Sequence, residues 1–324
     1  MKPALKIISP GPHTTVQGRP RIGYQDIGVP ASGPLDRVSL RLANALVGNA
    51  PDAPALELLL QGPLIEVAAE SVRLALVGCA ARIEVRSHPP RAIPAGRSVR
   101  LEQGDVFRIG SLVDSACAYL AIEGGFDIAP VLGSPSTYVR GGLGGLHGRR
   151  LEKGDAVPLA FATVAARAER SLAEPPDPGY EQSIRVVLGP QDDYFTDEGV
   201  HTFLCAEYTV SPQADRMGFR LDGPAIQHAN DYNIVSDGVV SGSIQVPGTC
   251  RPIVLMVDNQ TTGGYPKIAT VISADLPLVG RRRPGRPIRF TAVNVREAEQ
   301  ARRTQEAEIE AQIGRMRSVA QAPR

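Results

Sequence analysis

Apolar residues in this chain come mostly in short runs. Between residues 55 and 120 the runs LELLL, LIEV, VRLALVG, RIEV, SVRL, DVFRIG and ACAYLAIEGG are separated by turn residues, which predicts a β-barrel or sandwich. A second β-type region covers residues 184–295. Helical spacing is rarer. Leu35, Val38, Leu42, Leu46 and Val47 recur with the helical period; Ser32 is the expected N-cap, Pro34 falls in the first turn, and Gly48-Asn49 is the stop. Near the C-terminus, REAEQARRTQEAEIEAQIGRM predicts a charged helix in which Glu299 and Arg303 form an i,i+4 pair. That helix is either a solvated face or an oligomer or partner contact.

The connections organise these elements. The polar, proline-rich AERSLAEPPDPGYEQ is the best linker in the chain. The expected layout is an N-terminal domain over 1–165, a linker over 166–183, a C-terminal domain over 184–295 and a charged helical tail over 296–324. Residues 124–148, with GGLGGLHG, lack a periodic pattern and are expected to form a mobile or ligand-facing loop. RRRPGR (281–286) is expected as a solvated turn. One internal echo crosses the linker: SGPLDRVSLRL aligns without gaps with SPQADRMGFRL, matching Ser32/Ser211, Asp36/Asp215, Arg37/Arg216, Arg41/Arg220 and Leu42/Leu221. A duplication would explain it and would make the two domains related.

Composition narrows the functions. The 324 residues carry a net charge of +1, which leaves no footprint for nucleic acid or an anionic membrane. With 33 Gly, 28 Pro and no Trp, the chain is turn-rich. Cys79, Cys117, Cys205 and Cys250 form no CxxC pair, and His13, His88, His147, His201 and His228 have no metal-binding spacing, so no metal site is expected. A Walker phosphate loop, a GxSxG elbow and a Met-Lys-Met biotin site are all missing from the sequence. ATP or biotin chemistry would therefore have to come from a partner chain. The N-terminus lacks a signal-peptide pattern and no apolar run reaches the ~18 residues of a membrane span, so a soluble, cytoplasmic protein is expected.

The densest polar cluster in an apolar setting is PIVLMVDNQTTGGYPKIATVISADLP, residues 252–277. An apolar run delivers Asp258, Gln260, Thr261 and Thr262 into Gly263-Gly264, and Tyr265 and Lys267 follow. Amide, hydroxyl and backbone N–H groups at a sheet end suit a small lactam, urea or carboxylate. The N–H groups at Gly263 and Gly264 are candidate oxyanion donors, and Lys267 is a point charge for an anion. The plainer alternative is a capped hairpin. Asp36-Arg37 and Asp215-Arg216 are either local ion pairs or grips for a carboxylate. Gln191, after the strand IRVVL, stands in a turn or on a site rim. Gln245, in SIQVP, is an amide at a strand end.

GVPASGPLDRVSLRLANALVGN, ALELLLQGP, LGPQDDYF, VSPQADRMGFRLDGP, GSIQVP and DNQTTGGYPKIATVISADLP together resemble, in order, the signatures of the biotin-dependent-carboxyltransferase-like family. This family, also called allophanate hydrolase subunit 2, includes the C-type subunit of 5-oxoprolinase and the carboxyltransferase part of urea carboxylase. The resemblance covers residues 7–295. It implies a mainly β fold of two cyclophilin-like β-barrel domains with an active cleft between them. It also implies a separately encoded subunit 1-like partner, the B-type component. In the 5-oxoprolinase reading a lactam-utilisation-type component, the A-type, joins them, and the complex opens 5-oxoproline to glutamate with ATP. In the urea carboxylase reading the chain passes a carboxyl group from carboxybiotin on a partner to urea or a related amide. A third reading is regulatory, the antagonism of a sporulation-kinase inhibitor by binding. The family's motif positions fall on Asp36, Arg37, Gln191, Asp215, Arg216, Gln245, Asp258, Gln260, Thr261, Tyr265 and Lys267. Asp258, Gln260 and Lys267 are the expected catalytic set, with Asp258 preferred for proton transfer. The other motif positions, together with Thr262, Gly263 and Gly264, are expected to bind substrate.

Overall fold

A computed structural model describes residues 2–86, 90–229 and 231–319. His88 and the last five residues of the expected tail lie outside the described residues. The chain divides into two units. The first comprises the described residues of Met1–Arg21, Ser32–Pro178 and Glu308–Arg324; the second comprises those of Ile22–Ala31 and Gly179–Ala307.

The first unit contains β1 (Ala4–Ser9), β2 (Thr14–Gln17), α1 (Arg37–Val47), β3 (Ala55–Leu59), β4 (Leu64–Val67), β5 (Ser71–Val77), β6 (Arg82–Val85), β7 (Arg91–Pro94), β8 (Ser98–Glu102), β9 (Val106–Ile109), β10 (Cys117–Ile122), β11 (Ala156–Pro158) and β12 (Glu169–Ser171). Among the described residues these build a sheet of order β11-β1-β4-β9-β6-β7 and another of order β2-β3-β10-β5-β8. Their inner faces share one core that includes Leu5, Ile7, Leu56, Ile65, Leu74, Ile83, Phe107 and Leu120. β6 alternates exposed and buried residues, as a strand with one wet face must. β5 and β10 are buried along their whole length. The reason is α1, which packs on both and buries Leu40, Ala43, Leu46 and Val47.

α1 begins later than its sequence suggests. Its N-cap is Asp36, whose Oδ1 accepts from the N–H groups of Val38 (3.0 Å) and Ser39 (3.1 Å). The expected cap, Ser32, instead lies in left-handed backbone at φ 53°. The entry to the helix is pinned from below. Buried Glu57 accepts from the Leu35 N–H (2.9 Å) and from the Tyr119 hydroxyl (2.5 Å), and Tyr119 in turn accepts from the Asp36 N–H (2.9 Å). Burial, then the Glu57 carboxylate, holds the Tyr119 hydroxyl well above its ordinary value, so it remains a donor. The stop at Gly48, in left-handed backbone at φ 86°, falls where the sequence places it.

The Gly-rich stretch 124–148 is closely packed against the first unit. Ser134, Ser136 and Thr137 are fully buried within it. Ser134 donates to the Arg19 carbonyl and Thr137 to that of Val16. The stretch expected as a linker contains β12, which pairs with β23 (Arg317–Val319), so the tail ends in a strand. Glu169 in β12 accepts from the Arg73 guanidinium at 3.0 Å; Arg73 also donates to Glu123 (2.6 Å) and to the Ala165 carbonyl (3.1 Å). Both Arg73 and Glu169 are buried.

The second unit contains β13 (Ile184–Leu188), α2 (Asp197–Cys205), β14 (Tyr208–Val210), β15 (Gly218–Asp222), β16 (Asp237–Gly238), β17 (Ser243–Gln245), β18 (Ile253–Leu255), β19 (Thr262–Gly263), β20 (Lys267–Val271), α3 (Leu276–Arg281), β21 (Pro287–Ile288) and β22 (Phe290–Ala292). α4 (Val295–Gly314) follows and enters the first unit at Glu308. Among the described residues the main sheet runs β21-β14-β15-β18-β17-β20-β13-β22. Its two edge strands, β21 and β22, are consecutive in the chain with Arg289 between them, so the sheet curls into a nearly closed barrel. The RRRPGR segment is not a solvated turn throughout: Arg281 and Arg282 are buried. Arg282 donates to the carbonyls of Gly179, Tyr180, Gln182 and Pro287 at 2.6–2.9 Å, which holds the start of this unit to its sheet. Among the described residues no helix is long and apolar enough to cross a membrane.

The two copies of the internal echo take different structures. SGPLDRVSLRL leads into α1, whereas SPQADRMGFRL forms a turn and β15. Phe219 and Leu221 are buried while Arg220 and Asp222 are exposed, a period of two that the first copy lacks.

Truncating Arg73 to Ala leaves Glu169 buried without its cation. A loss of ~3–5 kcal/mol is expected, read from urea unfolding. An unchanged midpoint would show that this network carries no stability.

Candidate functional site

The polar segment after β18 is not a hairpin. β17 lies between β18 and β20 in the sheet, so residues 256–266 pass across the end of β17 to reach β20. Gln245, the last residue of β17, therefore sits in register with Lys267 and beneath the Gly-rich loop. An added Cβ on Gly263 would stand 2.4 Å from the Gln245 Nε2, so this close approach requires glycine.

Hydrogen bonds tie the amides of this cluster together. Gln245 donates to the Tyr265 carbonyl (3.3 Å) and accepts from Gln260 (3.4 Å). Gln191, beyond β13, accepts from the Lys267 N–H at 3.0 Å, while its own N–H donates to the Lys267 carbonyl at 3.1 Å. The Lys267 side chain is 3% exposed and its ammonium donates to Asp237 Oδ2 at 2.8 Å. Gln191 Nε2 reaches the same oxygen at 3.4 Å. The Lys267 hydrogen bond, then the Gly238 N–H, hold the Asp237 carboxyl below its ordinary value. Asp237 belongs to β16, which pairs with β19 through Asp237↔Gly263 and Gly238↔Thr262. The Val239 N–H donates to the Thr261 carbonyl and the Ile234 N–H to that of Gly264. Thr262 and the Tyr265 side chain are exposed.

Asp258 has a different setting. Its two oxygens accept from Arg216 Nε (2.8 Å) and Nη2 (3.1 Å) in a buried, two-pronged pair. Its N–H donates to the Arg216 carbonyl. Asp215 shapes the turn before β15, accepting from the N–H groups of Met217 and Gly218. Asp215-Arg216 is thus not a local ion pair, because Arg216 reaches across to the loop. Asp36 and Arg37 belong to the first unit, where Asp36 caps α1.

In the second unit, then, Gln191, Gln245, Gln260, Lys267, Tyr265 and the Gly263 loop converge, and Asp258 with Arg216 anchors that loop. Asp237 is the residue that sequence reasoning missed. It stands in the undistinguished stretch DYNIVSDGVV, and only strand pairing brings it to Lys267. A buried ammonium, a carboxylate held ionised and several side-chain amides can together bind a small molecule that carries both an amide and an anionic group.

Comparison with known proteins agrees with this architecture. Residues 27–292 match the family model of the carboxyltransferase domain, subdomain A and B. The C-type subunit of the 5-oxoprolinase of Escherichia coli (strain K12) is 36% identical over 310 residues, covering 94% of this chain and 96% of that protein. The urea amidolyase of Lachancea kluyveri is 36% identical over 330 residues, covering 95% of this chain and 18% of that protein. Among solved structures, the urea carboxylase of Kluyveromyces lactis matches with a TM-score of 0.85 at 31% identity, covering 96% of this chain and 29% of that one.

Two outcomes are expected. Replacing Asp258 with Asn breaks a buried ion pair and should lower stability by ~3–5 kcal/mol in urea unfolding; a fully stable but inactive variant would instead favour a direct chemical role. The depressed Asp237 carboxyl contributes stability that is fully present above about pH 4, the unfolded range, and that is lost as pH falls through its lower folded value. An NMR titration of Asp237 should show its midpoint rise in Lys267→Met, and an unmoved midpoint would separate the two groups.

Proposed function

The chain belongs to the family of the carboxyltransferase domain, subdomain A and B, and from that premise we propose that it is the C-type subunit of an ATP-dependent 5-oxoprolinase. In this reading it works in the cytoplasm with a subunit 1-like, B-type partner and a lactam-utilisation-type A component to open 5-oxoproline to L-glutamate. One observation carries the reading. The buried Lys267 ammonium shares Asp237 Oδ2 with the Gln191 amide, and residue 267 pairs in register with Gln245, which Gln260 contacts; 5-oxoproline is a lactam that bears a carboxylate. The near full-length match to the corresponding Escherichia coli 5-oxoprolinase chain supports it.

The reading assigns each group a role. Lys267 pairs with the substrate carboxylate as a point charge. Gln260 and Gln245 present donor and acceptor groups to the lactam C=O and N–H, with Thr261 and Thr262 beside them. The backbone N–H groups at Gly263 and Gly264 stabilise negative charge that develops on the carbonyl oxygen when the C–N bond is attacked. The sequence favours Asp258 as the proton carrier, but with both oxygens held by Arg216 it is better suited to hold the loop than to carry a proton. The partner chains supply the ATP chemistry, and this chain binds and orients the lactam.

The similarity to urea amidolyase and urea carboxylase favours a second reading, carboxyl transfer from carboxybiotin on a partner to urea or a related amide. Reconstitution separates the two. The chain is combined with its two partners and assayed for ATP-dependent glutamate formation from 5-oxoproline, with and without avidin. The expected result is activity that needs all three chains and ignores avidin, falling about 10–100-fold in kcat/KM for Lys267→Met through loss of one charged hydrogen bond. No glutamate, but avidin-sensitive ATP hydrolysis when urea and a biotin carboxylase are present, would assign carboxyl transfer instead.

A further inference from the structure

Buried charges in this protein differ in one respect. Arg73 pairs with a buried carboxylate on β12, Arg216 with buried Asp258, and Arg282 with backbone carbonyls. Those partners are fixed in the interior. Lys267 is equally buried, yet its anionic partner among the described residues is Asp237, whose side chain is 55% exposed. Asp237 stands on β16, a strand of two residues that is attached to β19 rather than to the main sheet. Close to it along the chain, Tyr232, Val235 and Val240 expose their side chains to solvent, Val235 at 92%. The carboxylate that neutralises Lys267 thus arrives on a lightly attached ribbon at the surface.

A buried ammonium cannot lose its counter-ion without a large desolvation penalty. Whatever displaces Asp237 must therefore bring an anion of its own. From this geometry we propose that Asp237 occupies the position of a ligand carboxylate, and that binding at Lys267 exchanges one carboxylate for the other as β16 moves aside from β19. The site then selects ligands that carry a carboxylate and discriminates against neutral amides, which would leave Lys267 unpaired. Gln191 serves either occupant, because its Nε2 donates to the oxygen that Lys267 holds. The inference rests on reading this cluster as a ligand site, and it makes Asp237 a specificity-determining residue that competes with the ligand.

The test uses the full chain and two isosteric probes, acetate and acetamide, titrated while the backbone amides of Gly263 and Lys267 are followed by NMR. Asp237 lowers the apparent affinity by the fraction of time it vacates Lys267. Asp237→Asn and Asp237→Ala should therefore bind acetate more tightly than the wild type, by about tenfold if β16 is open about a tenth of the time, and in each protein acetate should bind more tightly than acetamide. Equal acetate affinity in the wild type and both variants would overturn the proposal, as would acetamide binding as tightly as acetate. The acetate response does not depend on the lactam assay. A gain in acetate binding without 5-oxoproline turnover removes the functional reading alone, and turnover without the gain removes the exchange alone.

Discussion

A charge taken out of water must be met by a partner, and this fold is arranged around that constraint. Three buried arginines are answered from distant parts of the sequence: Arg73 by Glu169, Arg216 by Asp258, and Arg282 by the carbonyls of the segment that opens the second unit. Glu57 shows the same rule for an anion, satisfied by Tyr119 and by the chain entering α1. These contacts hold segments that carry no strong secondary-structure signal of their own. The stretch around β12 reads as a linker because it is polar and proline-rich, yet the Glu169 carboxylate draws it against β5.

The same constraint separates structural charge from functional charge. Where the partner is buried and rigid, the pair fixes geometry, as Arg216 and Asp258 fix the loop that follows β18. Where the partner is exposed, as Asp237 is, the proposed exchange leaves the buried cation to another anion. Lys267 is held by Gln191 on both sides of its peptide unit, so its position does not depend on the occupant of its ammonium. A rigid cation with an exchangeable counter-ion is a suitable arrangement for capturing a small carboxylate.

The barrel of the second unit places these groups. Because β17 lies between β18 and β20, the polar loop must cross the sheet end, and the crossing brings Gln260 and Gly263 onto Gln245. A simple hairpin would have left Gln245 elsewhere.

Much was determined by the sequence alone. The short apolar runs between turn residues specify a mainly β chain, the spacing of Leu42, Leu46 and Val47 specifies α1, and Gly48 specifies its end, since each is a local property of pattern or backbone freedom. The ordered motifs identify the family, and the polar loop with Lys267 is legible as the densest chemistry in the chain. Local signals could not decide which partner a charge meets. SPQADRMGFRL echoes SGPLDRVSLRL in five residues, yet one becomes a strand and the other a helix, because the neighbours that bury them differ. Asp258 looks like a free acid until Arg216 is seen across the turn, and Asp237 looks like a surface residue until β16 pairs with β19. Ion pairing depends on approach in space over a few ångströms, and only the tertiary fold brings residues 30 or 42 positions apart to that distance.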